Sequence, residues 1–181
     1  MASGDHECDR RDGRGDGGVS SGARILRMVL RHARTLRSCI HSPADAWLAA
    51  RMLAWAAVLP ALKRTVPLPR LVELMRATPR HSLREPDVEQ RIVALAWWLH
   101  APLALLDRGC MQRSLLTYRF LGAAGAQPHF AIGVRKEGGV VLAHAWISVD
   151  GAPAGDSQRD IAKFAPLLMF GPDGRKKDLA R

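Results

Sequence analysis

Cysteine is scarce and poorly spaced. The 181-residue chain has three, Cys8, Cys39 and Cys110. Their number is odd, and no C-x-x-C or His/Cys pair stands at ligand spacing. That excludes a disulfide framework and a zinc pattern. A reducing cytosol is the simplest compartment, so a cytoplasmic protein is expected. A secretory signal is also missing: residues 1–23 are polar, acidic and Gly-rich, with no apolar stretch to form its hydrophobic region. No long hydrophobic run is uninterrupted. Ala44–Leu62 is broken by Asp45, Arg51 and Pro60, and Ile92–Leu106 is short and holds His100 and Pro102. Both read as buried helices, and membrane contact is not expected. Acidic residues are in deficit, 17 against 27 basic, for a formal net charge of +10. Such a bias favours acidic partners: nucleic acid, a membrane face, or an acidic peptide or protein. Basic and aromatic residues do not alternate, however. Trp47 and Trp55 therefore read as core side chains, not as a platform for bases, and no nucleic acid is expected.

What is present suffices for one globular domain, with 48% hydrophobic residues. Residues 1–23 form a disordered tail by composition. A basic amphipathic helix follows over 24–40, with Ile25, Val29, Leu36 and Ile40 on one stripe. Its arginines make either a solvated face or a docking surface for a partner, and Cys39 beside the stripe is a small core residue. Ser42-Pro43 starts the next helix, to about residue 58, and Pro60, Pro67 and Pro69 then break the chain into short pieces. Pro86 opens another helix to about 101, with Val88, Ile92, Leu95 and Leu99 on one face, Trp97 and Trp98 adding bulk, and His100 near its end.

The chemistry-bearing stretch runs from Gly109 to Asp156. A helix over about 110–121 carries Cys110 in its first turn, after Gly109. There, unpaired backbone N–H groups and the helix dipole stabilise a thiolate and can bind an oxyanion. Two strands follow, over 128–134 and 139–150, joined by the hairpin loop "RKEGG". On the second strand Leu142, His144, Trp146 and Ser148 share one face. Ala143, Ala145, Ile147 and Val149 share the other, which reads as uniformly buried. His144 can then point toward a helix packed across the sheet. A structural cysteine and a surface histidine remain the simpler alternatives.

An acidic residue must orient the imidazole. Asp150 lies too far along the strand and belongs to an Asp-Gly turn. A two-residue turn there would put Ser157 opposite His144 and turn Asp156 to the wrong face. A three-residue connection, Asp150 to Ala152, puts Asp156 on the His144 face. Asp160 is the runner-up under the same register.

The segments "CMQRSLLTYRFL", "FAIGVRK" and "AHAWISVDG" resemble the transglutaminase-like cysteine peptidases of lasso-peptide biosynthesis, the maturation proteases that remove the leader from the precursor. The resemblance covers about residues 40–170. The family's C-x-x-R-[SA]-L helix start matches Cys110, Arg113, Ser114 and Leu115. Its H-A-W strand matches His144, Ala145 and Trp146, and its later aspartate matches Asp156. Members commonly carry Val-Glu after H-A-W, where this chain has Ile147-Ser148.

The resemblance implies an α+β fold with a papain/transglutaminase-like core: N-terminal helices, then a catalytic helix packed on a small antiparallel sheet. The implied domain is 24–172, with a helical part 24–107, a catalytic part 108–170 and a basic tail 173–181. The implied catalytic residues are Cys110, His144 and Asp156, with no metal and no cofactor. The implied partners are the precursor peptide, a separate leader-recognition protein and an ATP-dependent asparagine-synthetase-like cyclase. Two other functions fit the residues: a transglutaminase-like acyltransferase, and a non-catalytic basic module that docks nucleic acid or membrane.

Overall fold

The computed structural model describes residues 42–79, 84–103 and 109–178. The acidic tail, the Arg-rich segment 24–40, Cys8 and Cys39 lie outside the described residues. Four helices come first. The helix α1 spans Pro43–Thr65, α2 Leu68–Met75, α3 Pro86–Leu103 and α4 Cys110–Ala123. Ser42 caps α1: its hydroxyl accepts from the Asp45 backbone N–H at 3.1 Å, and Pro43 fills the first helical position.

The break expected at Pro60 does not occur, and α1 runs through it to Thr65. Proline removes one intrahelical bond, but Leu59 is buried and Leu62 packs on the core, so tertiary contact overrides the local penalty. The chain leaves the helix one step before Pro67, where Val66 takes the extended backbone that a following proline enforces.

The reading of Trp47 as core is also corrected. It is 66% exposed, and Leu53 and Val58 are exposed with it. The helix α1 is long and apolar enough to cross a membrane by length and composition, and only 28% of its most apolar window is buried. Trp55 is half-buried under the Arg119 guanidinium, 4.0 Å from its ring.

Helix α4 is the centre of the molecule. It packs against α1, α2 and α3 on one side and the sheet on the other. From its middle onward it buries Leu115, Leu116, Tyr118, Phe120 and Leu121. Its first two turns also bury polar groups, Gln112, Arg113, Ser114 and Thr117. A buried arginine on such a helix requires a partner carboxylate.

The sheet is antiparallel, with strand order β3-β2-β1-β4-β5: β1 His129–Glu137, β2 Val140–Val149, β3 Ala152–Pro153, β4 Ala165–Phe170 and β5 Lys176–Lys177. A one-turn helix α5, Gln158–Ile161, links β3 to β4. Gly138 and Gly139, both at positive φ, close the β1–β2 hairpin, so the residues Arg135 to Glu137 extend β1 and do not form a loop. The basic tail expected from 173 is part of the sheet, since Lys176 and Lys177 pair with Phe170 and Met169. Lysines suit that edge position because they discourage pairing with another chain.

Phe130, Ala145, Ile147 and Val149 belong to the core shared with the helices. Ala131, Gly133, His144 and Trp146 take the opposite face. Ala143, expected to be buried, is exposed. A Cβ at Gly133 would meet the Trp146 ring at 2.8 Å, so this position opposite His144 makes room for the indole.

Candidate active site

The register places His144 on the face away from the core, and the imidazole reaches Cys110 at the edge of β2. Strand β3 pairs with β2 at Ser148 and Val149 alone. The first turn of α4 lies along the edge that β3 leaves open. There the Ser114 hydroxyl donates to the Ala145 carbonyl at 2.9 Å, and the backbone of Ala145 also hydrogen-bonds the Cys110 thiol. The N–H and the C=O of Ala145, next to His144, are thereby both held by α4 at the same strand edge. The expectation that His144 would face a helix across the sheet is corrected: it meets the helix terminus around the sheet's edge.

Gly109 caps α4 without a side chain, and a Cβ there would collide with the His100 ring. Cys110 is half-buried and hydrogen-bonded to His144. Burial pushes the thiol up. The His144 hydrogen bond, backbone bonds from Ala145 and Met111, and the imidazolium charge together outweigh it and hold the thiol below its usual value of 9.0.

The His144 Nε2 lies 3.3 Å from Asp156 Oδ1, which leaves Nδ1 for the thiol. The Asp156 hydrogen bond, then that of Cys110, overcomes burial and pushes the imidazole up from 6.5 to about 9. Asp156 itself is pushed up by burial. His144 and the Arg113 charge reverse this and hold it below the ordinary 3.8. Ring contacts surround the imidazole: Phe164 at 5.3 Å and Trp146 stacked at 6.3 Å between centroids.

Asp156 reaches this place by a route that strand counting missed. The turn has two residues, not three. Asp150 and Gly151 both have positive φ, and the pairs Val149–Ala152 and Ser148–Pro153 follow at once. Continued alternation would have sent Asp156 to the wrong face. The ladder ends first, with the Ala154 N–H on the Ile147 carbonyl at 2.8 Å. Gly155, at φ +89, then turns the chain inward. Asp160 is not brought to His144: its exposed carboxylate pairs with Lys163 at 2.7 Å. Asp150 pairs with Arg84 at 2.5 Å.

Two residues join the site that the sequence had marked differently. Arg113 matched a motif but had no assigned role. Its Nη2 donates to both oxygens of Asp156, at 2.8 and 2.9 Å. Trp97, read as bulk on α3, lies under the Arg113 guanidinium at 3.7 Å and donates its indole N–H to the Gly155 carbonyl at 3.0 Å. The signal for Arg113 was a charged residue three positions after Cys110 on a helix otherwise suited to burial. Nothing local marks Trp97.

A Cβ at Gly155 would stand 2.7 Å from Val93 and 2.8 Å from the Trp97 nitrogen, at a φ that side chains rarely adopt. Gly155→Ala is therefore expected to lose about 1–3 kcal/mol of stability and most of the activity. Chemical denaturation beside a rate measurement checks both; wild-type values for each would contradict the role given to this glycine.

Among the described residues no group of three or more His, Cys, Asp or Glu could hold a metal ion. A cavity of about 490 Å³ lies between α3 and β3, with Trp97 and Gly155 in its wall, and none of Cys110, His144 and Asp156 lines it.

Comparison with known proteins adds the family. The model described as the transglutaminase-like superfamily matches residues 46–169, more than half of the chain. The chain belongs to the transglutaminase-like superfamily. No curated protein and no solved structure matches it. This superfamily consists mostly of cysteine-dependent enzymes and includes both peptidases and acyltransferases. The α+β architecture of helices packed on a small antiparallel sheet is that expected of a transglutaminase-like domain. The matched span contains Cys110, His144 and Asp156.

Proposed function

We propose that this transglutaminase-like domain is a cysteine peptidase that removes the leader from a lasso-peptide precursor. The observation that carries the proposal is the continuous contact from Cys110 through His144 to Asp156, on residues that match the C-x-x-R-S-L and H-A-W motifs.

In the resting site the proton of Cys110 resides on His144. The Sγ thiolate attacks the carbonyl carbon at the leader–core junction, and negative charge moves to the carbonyl oxygen. The Cys110 backbone N–H, at the start of α4, donates to that oxygen. The intermediate collapses as His144 gives its proton to the departing nitrogen, which frees the core N-terminus. A thioester of the leader remains on Cys110. Water then attacks the thioester carbon and His144 takes its proton. The leader acid leaves and the thiolate–imidazolium pair is restored. Asp156 holds the imidazole in one orientation and stabilises its charged form.

The precursor peptide is the substrate. A separate recognition protein delivers the leader, and an ATP-dependent cyclase of the asparagine-synthetase type takes the freed core. A reducing, cytoplasmic setting keeps Cys110 unoxidised. The same thioester would serve an acyltransferase if an amine replaced water, and the superfamily holds both kinds of enzyme. Mass measurement after incubation with precursor and recognition protein separates them. Two fragments whose masses sum to the precursor plus one water support the peptidase; a product carrying an added amine overturns it in favour of the transferase.

The protonation states predict the pH behaviour. His144 must carry the proton that it gives to the leaving nitrogen, so kcat/KM is expected to fall as pH rises through about 9. The same group bears on stability. Its folded value lies above the ordinary 6.5, so its contribution is present in full below about 6.5 and is lost as pH rises through about 9. The melting-temperature gap between wild type and His144→Ala should accordingly narrow across that interval. A constant gap, or an alkaline limb near 6.5, would contradict the assigned charge state.

A further inference from the structure

We infer that Trp97 is a positioning residue for Asp156, fixing from α3 both the backbone that carries the aspartate and the arginine that grips its carboxylate. The inference rests on reading Cys110, His144 and Asp156 as a catalytic triad.

Asp156 stands on a segment without ladder support. The last sheet-type bond is that of the Ala154 N–H, and Gly155 then departs at positive φ. A carbonyl turned out of a ladder needs another donor. The Trp97 indole N–H supplies it, at 3.0 Å from the Gly155 oxygen. The opposite end of the aspartate is held by Arg113, whose side chain is 8% exposed. A guanidinium can rotate about a carboxylate that it contacts through one nitrogen, and here Nη2 alone makes both bonds. The ring face of Trp97, 3.7 Å from the guanidinium carbon, restricts that rotation.

Two helices therefore converge on one carboxylate, α4 through Arg113 and α3 through Trp97. Packing alone does not account for the tryptophan. It is 44% exposed, whereas its neighbours Leu95, Ala96 and Leu99 fill the core. Its two directed contacts end on Gly155, the chain neighbour of Asp156, and on Arg113, which holds the Asp156 carboxylate.

The charged groups facing His144 are Cys110 from α4 and Asp156 after β3, with Arg113 behind Asp156 and Arg135 of β1 beyond the Phe164 ring. Of these, only Asp156 is tied to Trp97 through its backbone. Loosening Trp97 should let Asp156 drift from His144, weaken the imidazolium and raise the pH needed to form the Cys110 thiolate.

The test is the pH dependence of Cys110 alkylation by iodoacetamide, read from the mass of the Cys110 peptide in the full chain. It requires no substrate. Trp97→Ala should move the acid limb of the profile up by about one pH unit. Trp97→Phe keeps a ring over Arg113 but lacks the N–H, and should move it by a smaller amount. Trp47→Ala, at the exposed tryptophan of α1, should leave it in place. With the precursor, kcat should fall about tenfold in Trp97→Ala at nearly constant KM. Wild-type profiles for both Trp97 variants would overturn the inference and leave the triad intact. If Trp97→Ala does not fold, Trp97→Phe decides alone. An ordinary thiol profile in the wild type would instead reject the triad, and this inference with it.

Discussion

Asp156→Asn is expected to lower kcat/KM by about 10³–10⁴-fold, because the carboxylate acts on His144 in two ways at once. It fixes the ring with Nε2 toward Asp156, and it is the first cause of the imidazole's rise to about 9. An amide nitrogen donating to Nε2 would demand the other tautomer, whose protonated Nδ1 cannot accept the thiol proton. An amide oxygen facing Nε2 would keep the geometry but lose the charge. In both cases the thiolate–imidazolium pair shrinks near neutral pH. The loss should appear in kcat, since the group is not placed to touch the substrate. It should also appear, without substrate, as slower alkylation of Cys110. A variant within about tenfold of wild type would mean that His144 works as a dyad with Cys110.

The second large effect is on stability as well as rate. Arg113→Ala leaves the half-buried Asp156 with His144 as its remaining charged partner and opens a space beneath Trp97. Breaking a buried ion pair by deleting one member costs about 3–5 kcal/mol. For a domain of this size that corresponds to a fall in melting temperature of about 6–20 °C. Arg113→Lys should recover little. An ammonium lacks the flat face that stacks on the indole, and it cannot meet the carboxylate with the same planar geometry. The double variant Arg113→Ala, Asp156→Ala should melt higher than Arg113→Ala alone, because it removes the half-buried carboxylate that has lost its arginine. A melting temperature in Arg113→Ala equal to wild type would show that the pair carries no structural weight.

The parts of this account that were readable in sequence are those in which local pattern and tertiary structure agree. Ser42-Pro43 announces α1, and Pro86 announces α3. The alternation in "VVLAHAWISV" separates His144 from the buried Ala145 and Ile147. Gly109 before Cys110 marks a helix mouth where side chains would collide.

The parts that were not readable depend on long-range meeting or on one residue's backbone. Pro60 stays helical because of what α1 packs against. Strand β4 shows little alternation, as three of its first residues are exposed at the surface. Asp156 was reached from the sequence through a three-residue turn that does not exist; the two-residue turn and Gly155 bring it to the same neighbour by another path. Trp97 and Gly155 are 58 positions apart, and no local periodicity connects them.

The central claim is that Cys110 forms the covalent bond to the leader. Its most direct test is the mass of the precursor after incubation with its recognition protein and either wild-type chain or Cys110→Ala. Wild type should yield the leader and the free core, and Cys110→Ala should return the intact precursor. Robust cleavage by Cys110→Ala would contradict the account.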